Sequence, residues 1–140
     1  MNNEEFNMSQ FLKESKKFEQ DVKIFLLKKW KINLEERKIK IGNVTKKFDL
    51  VSDDYNLIGD VKYYKNISVP AAKWSTIAEY VWLLEKTSAK KKFLVFGKDI
   101  QVPERWLKRF GELTKVEFYF FDGKKLSVLN NKKTGQNEDY

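Results

Sequence analysis

Between Ser9 and Trp30 apolar side chains recur at helical spacing. On a 3.6-residue wheel centred on Val22, the residues Phe11, Phe18, Phe25 and Leu26 fall on one arc, which predicts an amphipathic helix with Ser9 as its N-cap. Glu19 lies inside that arc, about 60° from Val22 at ~100° per residue, and Glu14 lies near its opposite edge. A carboxylate aimed at the core needs a partner or a purpose, because burying it alone is costly.

The period then shortens to two. Residues 38–41 alternate charged and β-branched side chains, and Gly42-Asn43 offers a turn. Residues 46–51 and 56–64 supply two more strands around the Asp53-Asp54 turn. Pro70 opens a second helix with a stripe of Trp74, Ile77, Ala78, Val81 and Leu84. Residues 92–96 form a short continuous apolar run, the mark of a buried central strand. Pro103 starts a short helix over 104–110 that Gly111 stops. Residues 116–121, the Asp122-Gly123 hairpin signal and residues 126–129 close the chain as an antiparallel pair. The expected order is α, β, β, β, α, β, then a short helix and a hairpin: an α/β class protein with helices packed on a mixed sheet. Residues 1–140 read as a single domain, with 1–8 and 130–140 as disordered tails.

Composition narrows the chemistry. Hydrophobic residues make up 41% and aromatics 15%, enough to build a core. No apolar run approaches the ~18 residues of a membrane span and no signal peptide opens the chain, so a cytoplasmic protein without membrane partners is expected. Cysteine and histidine are both absent, which excludes disulfides, thiolate and imidazole ligands, and histidine acid–base chemistry. A metal here must be a hard cation held by oxygen, with magnesium first and manganese as its substitute. The 28 Lys plus Arg against 20 Asp plus Glu give a net charge of +8, which suits a polyanionic partner. A general lysine bias explains the excess equally well. Arg37, Arg105 and Arg109 are the only arginines, and lysine meets phosphate as a point charge whereas bidentate guanine readout favours arginine. The composition therefore favours backbone over base recognition.

The most informative stretch is 48–62, Phe-Asp-Leu-Val-Ser-Asp-Asp-Tyr-Asn-Leu-Ile-Gly-Asp-Val-Lys. It places Asp49 on one strand and an acid–X–lysine triplet, Asp60-Val61-Lys62, on the next. Asp60 and Lys62 share a face roughly 6–7 Å apart. A hairpin turning near Asp54-Tyr55 sets Asp49 almost opposite Asp60, so that two carboxylates and an ammonium converge on one patch.

This pattern resembles the PD-(D/E)XK nuclease superfamily, the restriction-endonuclease-like fold, whose core is αβββαβ. The second-strand acid resembles Asp49, the third-strand triplet resembles Asp60-Val61-Lys62, and the first-helix glutamate looks like Glu19, with Glu14 as the other candidate. The likeness covers roughly residues 9–96, leaving the short helix and hairpin as additions. Phe48 stands where the family's proline precedes the acid. Thr76, four residues before Tyr80, departs from the glutamine–tyrosine motif of the RecB-like subgroup. The resemblance implies a magnesium-dependent DNA endonuclease. Asp49, Asp60, the Val61 backbone carbonyl and Glu19 would hold the metal, and Lys62 would place the attacking water as a charged group. DNA is the implied partner, with RNA as the other nucleic acid, and a domain this small would act as a homodimer or with a partner protein.

Each of these residues also has a plainer reading. Asp60 and Lys62 could form a surface ion pair, worth little, and Asp49 could be an acid near a strand end. Asp53 and Asp54 read as ordinary turn acids. Lys65 and Lys73 could meet phosphates or be generic surface lysines. Tyr63, Trp74, Tyr80 and Trp82 read as packing residues rather than base-stacking platforms. The competing functions are a nucleic-acid-binding module that keeps the scaffold without the chemistry, and a plain interaction protein.

Overall fold

The computed structural model describes residues 7–64 and 70–130, without the side chains of 70 and 71. Lys65 and the outer parts of both expected tails lie outside the described residues. Helix α1 spans Met8–Trp30. Its N-cap is Asn7 rather than Ser9: the Asn7 side chain accepts the Gln10 backbone N–H at 3.0 Å. Asparagine caps as well as serine, so the helix starts earlier than expected and Met8 belongs to it. Strands β1 (Leu34–Ile41), β2 (Val44–Ser52) and β3 (Leu57–Tyr64) follow, then α2 (Pro70–Lys86), β4 (Lys91–Lys98) and α3 (Gln101–Phe110). A 3₁₀ turn (Gly111–Leu113) leads into β5 (Glu117–Phe121) and β6 (Leu126–Val128).

All six strands form one mixed sheet in the order β1-β2-β3-β4-β5-β6. β1, β2 and β3 run antiparallel in turn, β3, β4 and β5 run parallel, and β6 is antiparallel to β5. Further boundaries differ from the sequence pattern. β1 begins at Leu34, because Leu34 is buried on the sheet face and extends the alternation back past the charged run. α3 begins at Gln101 with Pro103 in its first turn, where a missing N–H costs nothing. Asn130 is not a loose end: its side chain accepts the Phe118 N–H at 2.7 Å and donates to the Val116 carbonyl at 2.9 Å.

The sheet has a core on each face. Val22 and Leu26 of α1 pack with Leu34, Leu50, Phe93 and Tyr119 on one side. On the other, Ile77 and Leu84 of α2 and Trp106 of α3 pack with Phe48, Ile58 and Phe96. Within the α2 stripe Ala78 is exposed and Leu83 is buried instead. Tyr63 packs on Phe18, Trp74 on Phe110 and Tyr80 on Phe48. Trp82 does not pack as expected and is 59% exposed. Two glycines set close approaches: a Cβ at Gly97 would fall 2.3 Å from the Phe18 ring, and one at Gly59 would fall 2.6 Å from the Phe93 ring. Gly97 thereby fixes how closely α1, with Glu19 next to Phe18, lies on the sheet. Among the described residues no helix is long and apolar enough to cross a membrane.

Candidate active site at an opened strand seam

β3 is zipped along one edge and open along the other. With β4 it pairs continuously from Leu57↔Lys91 to Tyr64↔Lys98. With β2 the paired positions are Leu50↔Gly59 and Val51↔Ile58. At the next level side chains replace backbone carbonyls. The Asp49 N–H donates to Asp60 Oδ1 at 2.8 Å, and the Val61 N–H donates to Asp49 Oδ2 at 3.0 Å. The two acids hold the seam apart while satisfying the amides exposed by opening it.

The β1–β2 register shifts at the same place. Glu35 pairs with Val51 and Arg37 with Phe48, so Asp49 and Leu50 together oppose Glu36. This is a β-bulge, which re-aims side chains. Phe48 and Val51 both join the core on the α2 side, whereas Leu50 joins the core under α1. Asp49 turns the same way as Leu50, toward Glu19 of α1. Asp60 and Lys62 alternate with Ile58 and lie on the α2 side, with Lys62 against Tyr80.

This corrects one expectation. Asp49 and Asp60 do not spring from a common face of the sheet, because the bulge moves Asp49 to the other one. Their carboxylates meet in the gap between the strands. The grouping of acids changes accordingly: Glu19, Glu36 and Asp49 bring carboxylate oxygens within 4.8 Å of one another. Asp60 instead pairs with Lys62 at 2.9 Å. Its other oxygen takes the Asp49 amide, so both are engaged. The Val61 N–H faces the seam, and in an extended strand the carbonyl of the same residue points to the same side.

Glu36 is the site residue that the sequence pattern missed. A strand read as starting at residue 38 left it outside, although its spacing of two from buried Leu34 puts it on the α1 face. Of the two helical acids, Glu19 is the one beside Glu36 and Asp49. Glu14 lies elsewhere, 4.0 Å from Lys98 and close to Tyr63. Glu19 is braced by Lys23 at 3.4 Å and Glu36 by Lys47 at 3.0 Å.

Burial dominates the electrostatics. Asp60 and Lys62 are 3% and 8% exposed, so theirs is not a surface ion pair. The Lys62 ammonium sits 3.0 Å from the centre of the Tyr80 ring. Desolvation pushes the Lys62 pKa below its ordinary value, prevailing over the pull of Asp60 and Asp49. The Asp49 carboxyl is pushed up to about 7, first by burial, then by the Asp60 charge and by a hydrogen bond shared with the Asp60 carboxyl. The same burial, with Asp60 and Asp49 nearby, raises the Tyr80 hydroxyl.

The remaining candidates are quickly placed. Lys73 lies on the α2 side with Nζ 5.7 Å from the Tyr64 ring centre. Asp54 is a turn acid, accepting the Ser52 hydroxyl and the Asn56 N–H. Asp53 pairs with Arg37.

The residues present fit a hard divalent cation. Three carboxylates offer oxygens within 4.8 Å. The Asp49 carboxyl retains a proton to unusually high pH next to Asp60, a position where a cation would replace that proton. Comparison with known proteins gives no match of the chain to a family model, a curated protein or a solved structure.

Proposed function

We propose that this protein is a divalent-metal-dependent nuclease that hydrolyses phosphodiester bonds in DNA, on a restriction-endonuclease-like αβββαβ core. One observation carries the reading: β2 and β3 give up backbone pairing where Asp49, Asp60 and Lys62 meet. A strand edge built only for stability would keep its ladder and bury apolar residues, since a buried ion pair seldom outperforms a hydrophobic replacement. Observed element order, Glu19 on the first helix and the +8 charge support the same reading.

In this reading Asp49 with Glu19 and Glu36 would hold magnesium or manganese, with Asp60 beside them as a further oxygen donor. The cation would polarise a water and offset charge on the non-bridging phosphate oxygens. Lys62 positions that water between strand and phosphate. Tyr80 walls the pocket and keeps the ammonium desolvated.

A second reading, a nucleic-acid-binding module without hydrolysis, has one observation in its favour: both Asp60 oxygens already have partners. Nicking of supercoiled plasmid in magnesium, against an EDTA control, separates the two. The expected result is cleavage by the wild type and a loss of about 10²-fold or more in Asp49→Asn and in Lys62→Ala. Cleavage by a folded Lys62→Ala protein at the wild-type rate would sink the nuclease reading. Linear RNA as a second substrate tests the choice of nucleic acid.

A further inference from the structure

The β1–β2 hairpin extends the acid pocket with a row of cations. Directly opposed residues of an antiparallel pair share a face. Lys38 opposes Lys47 and Lys40 opposes Thr45, so these four side chains stand on the same α1-side face as Glu36. All four are exposed. Lys38 and Lys47 lie roughly 6–7 Å along the strands from the Glu36–Asp49 level, and Lys40 roughly 6–7 Å further. Lys16 of α1 borders the same patch, acting on Glu36 through its charge.

This face is poorly explained by stability alone. Like charges directly across a strand pair repel. Lys47 is balanced by Glu36. Among the described residues no carboxylate pairs with Lys38 or Lys40. The opposite face of the hairpin is different in kind. There Ile39 and Ile41 pack against the α2-side core, and Lys46 is paired with Glu79. Arg37, the one arginine of the hairpin, turns to that face and binds Asp53, so no guanidinium stands in the lysine row.

We infer that Lys38, Lys40 and Lys47 form a track for a nucleic-acid phosphate backbone that leads into the Glu19–Glu36–Asp49 pocket, binding without base readout. The track takes its direction from the proposed nuclease site and so rests on that reading. Point charges spaced along a strand suit successive phosphates, and groups that lack a planar fork do not distinguish bases.

The test is affinity for a short DNA duplex, measured as a function of salt in EDTA so that no strand is cut. It uses the wild type, Lys38→Gln/Lys40→Gln, and Lys124→Gln/Lys125→Gln as a charge-matched control. The control lysines lie in the β5–β6 turn, at the far edge of the sheet. Removing two phosphate contacts should lower the slope of log K against log salt by about 1.8 and weaken binding about tenfold or more at low salt. The loss should be equal on duplexes of unrelated sequence, and the control pair should bind like the wild type. Equal losses in both pairs, or wild-type affinity in Lys38→Gln/Lys40→Gln, would overturn the track. Plasmid nicking by the wild type, run alongside, keeps the two ideas apart. Nicking with no effect of the lysine pair sinks the track alone. A selective binding loss without nicking keeps the track and sinks the nuclease.

Discussion

The two edges of β3 are a controlled contrast within one strand. Along β4 every residue from Leu57 to Tyr64 has a partner in register, and the neighbouring β4 residues Phe93, Leu94, Val95 and Phe96 are fully buried. Along β2 the register holds at Leu50↔Gly59 and Val51↔Ile58, and carboxylates then take the place of carbonyls. The zipped edge is where the chain spends its apolar surface. The open edge is where it buries charge. Rigidity on one side is what lets the other side hold two acids and a lysine in a fixed, partly desolvated arrangement.

The sharpest way to break this contrast is to orphan the buried ammonium. Asp60→Ala leaves Lys62 without its counter-ion and should cost roughly 3–5 kcal/mol in a urea melt at neutral pH. Asp60→Asn, which keeps an acceptor for the Asp49 amide, should cost clearly less. Equal stability of the alanine variant and the wild type would mean that the pair is not buried in solution.

Asp49 gives the next largest effect, through pH. Its carboxyl titrates near 7 in the folded protein and near 3.9 when unfolded. Between these values the folded state holds the extra proton, so this group's contribution to stability falls as pH rises from about 4 to about 7. The expected loss is roughly 2–4 kcal/mol in metal-free buffer. Asp49→Asn should flatten that part of the profile and raise the melting temperature above pH 7 while removing cleavage. Magnesium should recover the loss in the wild type. A profile unchanged by Asp49→Asn would show that other groups set the pH dependence.

The zipped edge answers to volume instead of charge. Gly59→Ala pushes a methyl into the buried Phe93 ring and should cost about 1–3 kcal/mol by thermal melting, with no pH dependence of its own. Wild-type stability in that variant would mean that the core under α1 has slack. The smallest effect belongs outside both edges. Asp53→Ala removes an 82%-exposed partner of Arg37 and should change stability by less than about 1 kcal/mol and leave nicking unchanged. A drop of several kcal/mol would tie that turn to the seam.

Much of this architecture is legible along the chain. The period-3.6 arc of Val22 and Leu26, the alternating strands and the apolar run at 93–96 set the element order, because burial periodicity is a local property. Asp60-Val61-Lys62 is legible for the same reason, since a strand places alternate residues on one face whatever surrounds it. Asp49 needed more. Its strand was evident, but its face depended on the bulge opposite Glu36, and a one-residue slip moves a side chain across the sheet. Glu36 looked like one charge in the run Glu35-Glu36-Arg37-Lys38, and only the burial of Leu34 two residues earlier marks its direction.

By itself, then, the amino-acid order determined the elements, the inventory of oxygen and ammonium groups available for chemistry, and the exclusion of thiol and imidazole. Tertiary structure decided which acids meet: Glu36 joins because β2 bulges against β1, and Glu19 rather than Glu14 because Gly97 seats Phe18 on the sheet. Local periodicity sets where a side chain points on its own element. Which groups share a pocket is set by register and packing between elements distant in sequence, and those are energies of the whole fold.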